Sequence, residues 1–155
     1  MLKDRKRLVR EQLEKTLSQF AGLKSVSLPP KGWIRAIREA LGMSGANFAD
    51  RLGVKPPRIT KLEKDELSGS VTIKSMRQAA EALDAVFVYA LVPRESLEST
   101  VRRQAERVAG MRLDRVSHSM RLEDQQLSDE EMKKALNEAV EELIRTMPKD
   151  LWSKS

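Results

Sequence analysis

Between Gly45 and Lys64 the chain carries two short helical patterns on either side of a glycine, Gly53: GANFADRLGVKPPRITKLEK. This pair restricts the fold more than any other stretch. In the first pattern, Gly45–Leu52, residues Phe48, Ala49 and Leu52 share one face. In the second, Pro56–Lys64, Ile59 and Leu62 lie about one turn apart. Gly53 falls where the chain must turn sharply, and glycine enters the left-handed region without a Cβ penalty. Ala49 is small enough to let the second helix cross the first closely, and Val54 is placed to plug the corner from below.

The flanks extend this pair into a domain. Gly32–Leu41 reads as a preceding helix, with Ile34, Ile37 and Leu41 as its buried stripe and Trp33 packing near its start. After the polar turn Leu67–Ser70, Thr72 can cap a helix that runs to about Leu83, with Ile73, Met76, Ala79, Ala80 and Leu83 facing inward. The segment Met43–Lys64 resembles the Cro/phage-repressor (XRE-type) helix-turn-helix. Its frame L-A-x-x-L-G-V-x-x-x-x-I-x-x-L-E is matched by Phe48 in the leucine position, Ala49, Leu52, Gly53, Val54, Ile59, Leu62 and Glu63. The resemblance implies a lambda-repressor-like domain over residues 30–84 that lays its second helix in the DNA major groove.

A second resemblance spans nearly the whole chain. RLVREQL, PPKGWIRAIREALGMS, FVYALVPRESLE and RVSHSMRLEDQ are similar to the mobile mystery protein A family. Members are commonly encoded beside a Fic-domain protein, mobile mystery protein B. That pairing implies an antitoxin-like regulator with a Fic-domain partner.

Charge agrees with a DNA partner. Residues 1–66 hold 15 Lys+Arg and 8 Asp+Glu, a net of +7, whereas residues 67–155 hold 14 and 15, a net of −1. The excess positive charge therefore lies in the half that contains the helix pair, as expected for a protein that binds a polyanion.

Matching positions onto the family pattern gives the expected readers. The first turn of the second helix meets base edges, which selects Lys55, Pro56, Pro57, Arg58 and Lys61, with Thr60 alongside. Arg58 can contact guanine O6 and N7 bidentately, and Lys61 can donate as a point charge. Thr60 can meet a phosphate or a thymine methyl. Lys64, Arg35 and Arg38 are expected on the DNA backbone, together with the backbone amide of Gly45 at the start of the first helix. Pro56-Pro57 departs from relatives that carry polar side chains there. Proline suits the first helical positions, whose amides lack intrahelical partners, but it brings no donor. Direct readout then rests on few residues, and DNA shape carries more.

Outside residues 30–84 the reading is of packing elements. Residues 3–22 form an amphipathic helix with Val9, Leu13, Leu17 and Phe20 on one stripe, before the Pro29-Pro30 break that closes an N-terminal segment at 29. Lys3, Arg5, Lys6, Arg7 and Arg10 crowd its start and serve either as a solvated end or as an arm to the DNA backbone. Ala85–Val92 (AVFVYALV) is short, β-branched and aromatic, and reads as one strand in an otherwise mostly α fold. A lone strand needs a partner, so residues 85–93 are expected to join two copies into a homodimer. Residues 94–155 form a helical extension. One helix covers 95–117, with Leu97, Val101, Ala105, Val108 and Met111 recurring at helical steps, and 117–126 is a polar connection. Ser128-Asp-Glu-Glu131 is a capping box that opens a helix to about Met147, with Met132, Leu136, Val140, Leu143 and Ile144 inside. Pro148 stops it, and Leu151-Trp152 folds back.

Catalysis is not expected. His118 is the only histidine, cysteine is absent, and the surrounding SHSMRLED has no metal-ligand or nucleophile spacing, so no catalytic residue, metal or cofactor is assigned. No run reaches the roughly 20 apolar residues of a membrane span, and a cytoplasmic protein is expected. An alternative to the regulator is an inhibitor of a Fic-type AMP transferase. Such enzymes are restrained by a helix bearing Ser/Thr-x-x-x-Glu-Gly/Asn, whose Glu pairs with an active-site Arg. Ser119-Met-Arg-Leu-Glu123 is similar, and implies Glu123 as the inhibitory residue with Ser119 as its support, while Asp124 departs from the Gly/Asn position. The other reading of this stretch is a polar linker.

Overall fold

The computed structural model describes residues 2–122 and 127–153. Seven α-helices account for most of them: α1 (Leu2–Ser18), α2 (Trp33–Ala40), α3 (Gly45–Leu52), α4 (Pro56–Ser68), α5 (Ile73–Ala82), α6 (Leu97–Leu122) and α7 (Asp129–Thr146). Short 3-10 turns occupy Ala21–Ser25 and Lys149–Trp152. They form two compact units, residues 22–90 and residues 1–21 with 91–155.

The first unit is a small four-helix domain. Ile34, Phe48, Ala49, Ile59, Leu62, Ala79 and Leu83 make its core, one or two from each helix. Phe48 and Ala49 are completely buried, so α3 is the element on which the others close. Several helix ends have a local cause. The Ser44 hydroxyl accepts from the Asn47 amide at the start of α3, and the Thr72 hydroxyl from the Ser75 amide before α5. Pro56 and Pro57 occupy the first two positions of α4, where a missing N–H matters least. Gly53 is left-handed at φ 67°, its N–H donating to the Asp50 carbonyl at 3.1 Å and that of Val54 to Ala49 at 2.9 Å. This paired arrangement closes α3 and turns the chain into α4.

Three side chains expected inside this domain lie outside. Val54 does not plug the corner but stands at the lip of the hollow beside Leu52 and Arg58, where it stays exposed. Leu41 follows the end of α2, past the reach of the core, and Ile73 stands in the first turn of α5, before the helix reaches it. Both are exposed.

A carboxylate from α4 caps α2. Glu66 accepts hydrogen bonds from the Trp33 amide at 2.8 Å and the Ile34 amide at 3.0 Å. These amides have no intrahelical acceptor, and the positive end of the helix dipole favours the negative group. Gly32 makes the approach possible. Its φ is +78°, and an added Cβ would stand 2.6 Å from Glu66 Oε2. Gly32→Ala is therefore expected to destabilise this unit by about 1–3 kcal/mol, through backbone strain and a displaced cap. Urea unfolding followed by Trp33 emission, with Trp152 replaced by Phe, measures it; an unchanged midpoint would refute the cap.

The expected strand at 85–92 is not present, and the described residues contain no strand. After Leu83 the chain turns at Asp84, which has a positive φ of 55°, and continues without regular structure. The composition was right for a strand, but a strand is defined by a ladder, and nothing within the chain supplies one.

The second unit packs α6 against α7, with Ala105, Val108, Ala109, Val140, Leu143 and Leu151 buried together. The capping box forms as expected: Glu131 accepts from the Ser128 amide at 2.8 Å, and Ser128 Oγ accepts from the Glu131 amide at 3.2 Å. The Ser128 amide and hydroxyl hold the Glu131 carboxyl below its ordinary pKa. This stabilisation is present at neutral pH and is lost as the pH falls through that lowered value. Leu151 folds back completely buried, its carbonyl held by Gln104 Nε2 at 2.6 Å, whereas Trp152 remains exposed. α1 is held mostly by polar ties: Arg10 to Glu98 at 2.9 Å, and Glu14 accepting from the Leu97 amide at 2.6 Å, which caps α6. Val9 and Leu13, expected on its packed stripe, are exposed, because the face of α1 turned inward carries Arg10, Glu14 and Leu17. α6 continues to Leu122, so 117–122 is helix and not a polar connection.

Candidate nucleic-acid interface

α4 buries Ile59, Leu62 and Glu63 and turns its remaining stripe to solvent. Lys55, Pro56, Pro57, Arg58, Thr60, Lys61 and Lys64 are all exposed. Seven of the expected contact residues come together in one groove of about 720 Å³ between the start of α3 and α4: Arg38, Gly45, Pro56, Pro57, Thr60, Lys61 and Lys64. Arg58 points to the other flank of α4, into a hollow of about 530 Å³ shared with Arg51, Ser75, Gln78 and Glu81. Two cationic edges therefore border an apolar ridge of prolines.

The cations differ in how free they are. Among the described residues Lys55, Arg58 and Lys64 make no hydrogen bond or ion pair, so their full donor capacity faces outward. Lys61 has a loose tie to Asp65 at 3.4 Å, one turn along the helix and well exposed. Such a pair is worth a few tenths of a kcal/mol and yields readily to a phosphate. Arg35 hydrogen-bonds Glu39 at 2.8 Å, and that bond, with Lys31 behind it, holds the Glu39 carboxyl below its usual range.

Arg38, expected on the DNA backbone, is engaged within the unit. Its guanidinium turns inward, donating to Glu63 at 2.7 Å and to the Met43 carbonyl at 2.9 Å, with side chains only 12% and 11% exposed in the ion pair. It ties α2 to α4 at the edge of the same groove, with two of its nitrogens engaged. The sequence pattern placed Arg38 off the apolar stripe, which is true, but periodicity cannot tell solvent from a neighbouring carboxylate.

Sequence reasoning did not single out Arg51 or Gln78. Arg51 donates to the Ala82 carbonyl at 2.6 Å, joining the ends of α3 and α5 beside Arg58. Gln78 is exposed on α5 along the same hollow. A residue whose role comes from a neighbouring helix leaves no signal in its own stretch.

The glycine corner, the buried Ala49 crossing and a second helix with its polar stripe outward decide the family likeness. Residues 34–86 match the helix-turn-helix family of the Cro/C1 type. The match begins inside α2, covers α3 to α5 and ends at Val86. Over these residues the chain is similar to DNA-binding helix-turn-helix domains. No curated protein and no solved structure matches the chain. No described helix is long and apolar enough to cross a membrane.

Proposed function

We propose that the chain is a sequence-selective transcriptional regulator that represses its own operon as the antitoxin-like member of a pair. The observation that carries this is the outward stripe of α4, where Arg58, Lys55 and Lys64 are uncommitted and Lys61 is only loosely tied. Cations with no internal partner, on the helix that this fold inserts into the major groove, have double-stranded DNA as their natural acceptor. Arg58 and Lys61 donate to base edges, Thr60 meets a phosphate or a thymine methyl, and Pro56 and Pro57 lie against the groove. Lys55, Lys64, Arg35 and the Gly45 amide hold the backbone. Two copies joined through residues 85–92 place two such helices on one symmetric site.

Fluorescence anisotropy with the DNA upstream of the protein's own gene, against scrambled DNA at two salt concentrations, tests the reading. Preference for the upstream DNA is expected. Equal, salt-sensitive binding to both would sink the claim of sequence selectivity and autoregulation.

A second reading gains from the length of α6. The helix includes Ser119, whose hydroxyl bonds back to the Arg115 carbonyl at 3.2 Å, and a helix is what the inhibitory motif of Fic-type AMP transferases requires. Glu123, the inhibitory residue on this reading, lies outside the described residues. With a Fic-domain partner in the assay, Glu123→Gly is expected to release AMP transfer and leave DNA binding intact. Unchanged inhibition by that variant would remove the Ser119–Glu123 segment from consideration.

A further inference from the structure

The helix-turn-helix unit has an apolar groove of about 430 Å³ between α2, α5 and the segments that flank them. Its floor is Ile34 and Ile37 of α2 with Met76 and Ala80 of α5. One wall is the segment before α2, through Leu23, Val26 and Leu28, and the other is residues 85–88. No charged side chain lines it, and neither α3 nor α4 contributes.

The rim is apolar as well. Leu23, Val26, Leu28 and Trp33 are each about half exposed, and Val86 and Val88 are 86% and 69% exposed. Tyr89 is exposed beside them, its ring stacked on Phe87 with centroids 5.9 Å apart. At ordinary whole-residue areas, backbone included, the exposed parts of these residues amount to roughly 750 Å², close to the ~800 Å² per partner that a standard-size protein interface buries.

We propose that this groove is the site of a second copy of the chain, each copy seating its Val86 and Val88 in the groove of the other. The inference rests on the two-copy reading of the regulator and gives that pairing its receiving surface. A two-fold interface needs projections and a recess on the same patch, so that each copy offers what the other accepts. Val86 and Val88 are such projections, and the groove they border is the recess. The area fits one chain-sized partner, whereas a small molecule lodged on the floor would leave the projecting valines wet. The charge distribution agrees, since the contact is uncharged and the cations of α4 lie elsewhere, free for DNA.

Sedimentation equilibrium of the full chain tests this, with Val86→Glu/Val88→Glu beside the wild type. Both residues are exposed in the single chain, so the variant is expected to fold as the wild type does by circular dichroism. In the pair it would bury carboxylates without partners, and the dimer is expected to weaken by about 100-fold. Leu8→Glu, which removes an exposed apolar side chain on α1, is expected to leave association unchanged. In a Trp152→Phe background, dilution of the dimer is expected to shift Trp33 emission to the red. A wild type that stays monomeric at micromolar concentrations would overturn the proposal, as would a double variant that dimerises like the wild type. So would a monomer whose Trp33 emission responds to Nile red, which would assign the groove to a small apolar ligand. Dimerisation and half-site DNA binding are read separately. A dimer that ignores DNA overturns the regulator alone, and a monomer that binds one half-site overturns the groove alone.

Discussion

Alanine at both Arg58 and Lys61 is expected to weaken binding to the upstream DNA by about 100-fold, with most of the loss in preference over scrambled DNA. The magnitude follows from the few donors that α4 has. Its first two positions are proline, so no side-chain hydrogen bond comes from Pro56 or Pro57. Arg58 then carries the main bidentate contact, worth about 1–3 kcal/mol against a wrong base. Lys61 adds a donor and a phosphate-neutralising charge. Lys64→Ala is the contrasting variant. It is expected to weaken binding to both DNAs alike and to lower the slope of log affinity against log salt by about one. Neither substitution touches a core contact, since both cations are exposed and Arg58 has no partner to lose. Unchanged affinity and salt slope in the double variant would mean that α4 does not face the DNA.

The glycine corner was legible because its requirement is local. Gly53 must be left-handed, Ala49 must be small and Phe48 must point inward, and each demand is written at one position of the sequence. The capping box at Ser128 is local in the same way, satisfied within four residues, whereas the equally local box at Ser44 was not singled out. Where the deciding group belongs to another element, the sequence was silent. Arg38 and Arg35 share one helix and one residue type, yet Glu63 draws the first inward while Glu39 keeps the second at the surface. Glu66 reads as one more charge on α4, and only the fold shows it capping α2 across the interior. The strand at 85–92 failed for the same reason. Alternating β-branched residues report what a segment can pair with and not whether a neighbour exists. α1 shows the limit of periodicity, since Val9 and Leu13 lie on a genuine apolar stripe but the helix is fastened by Arg10 and Glu14 on another face.

Removing the Glu63 carboxylate is expected to be the most damaging single change to the stability of the DNA-binding unit. Glu63 is the last residue of the family frame and looks like a surface charge on a helix, but it lies beneath α4 against the Arg38 guanidinium at 2.7 Å. Glu63→Ala leaves that cation in a pocket only 12% open to solvent, with the Met43 carbonyl as its remaining acceptor. Breaking such a pair from one side costs about 3 kcal/mol or more, because the surviving charge stays desolvated. In a unit of this size that corresponds to a melting temperature lower by roughly 12–24 °C. Arg38→Met with Glu63→Leu is expected to recover most of the loss, since neither charge is then buried and the apolar pair fills similar volume. A double-mutant cycle on urea unfolding, read through Trp33, separates the pair from its surroundings. Two additive single losses would show that Arg38 and Glu63 do not act together. A large coupling would have a functional consequence as well. The clamp and the Glu66 cap are both ties from α4 back to α2, and the clamp borders the same groove as Thr60, Lys61 and Lys64. Loosening either leaves Arg58 and Lys61 chemically intact on a helix whose angle is less well fixed. The double apolar variant is then expected to regain stability before it regains DNA affinity, because packing restores the fold while the paired charges set the orientation of the reading helix.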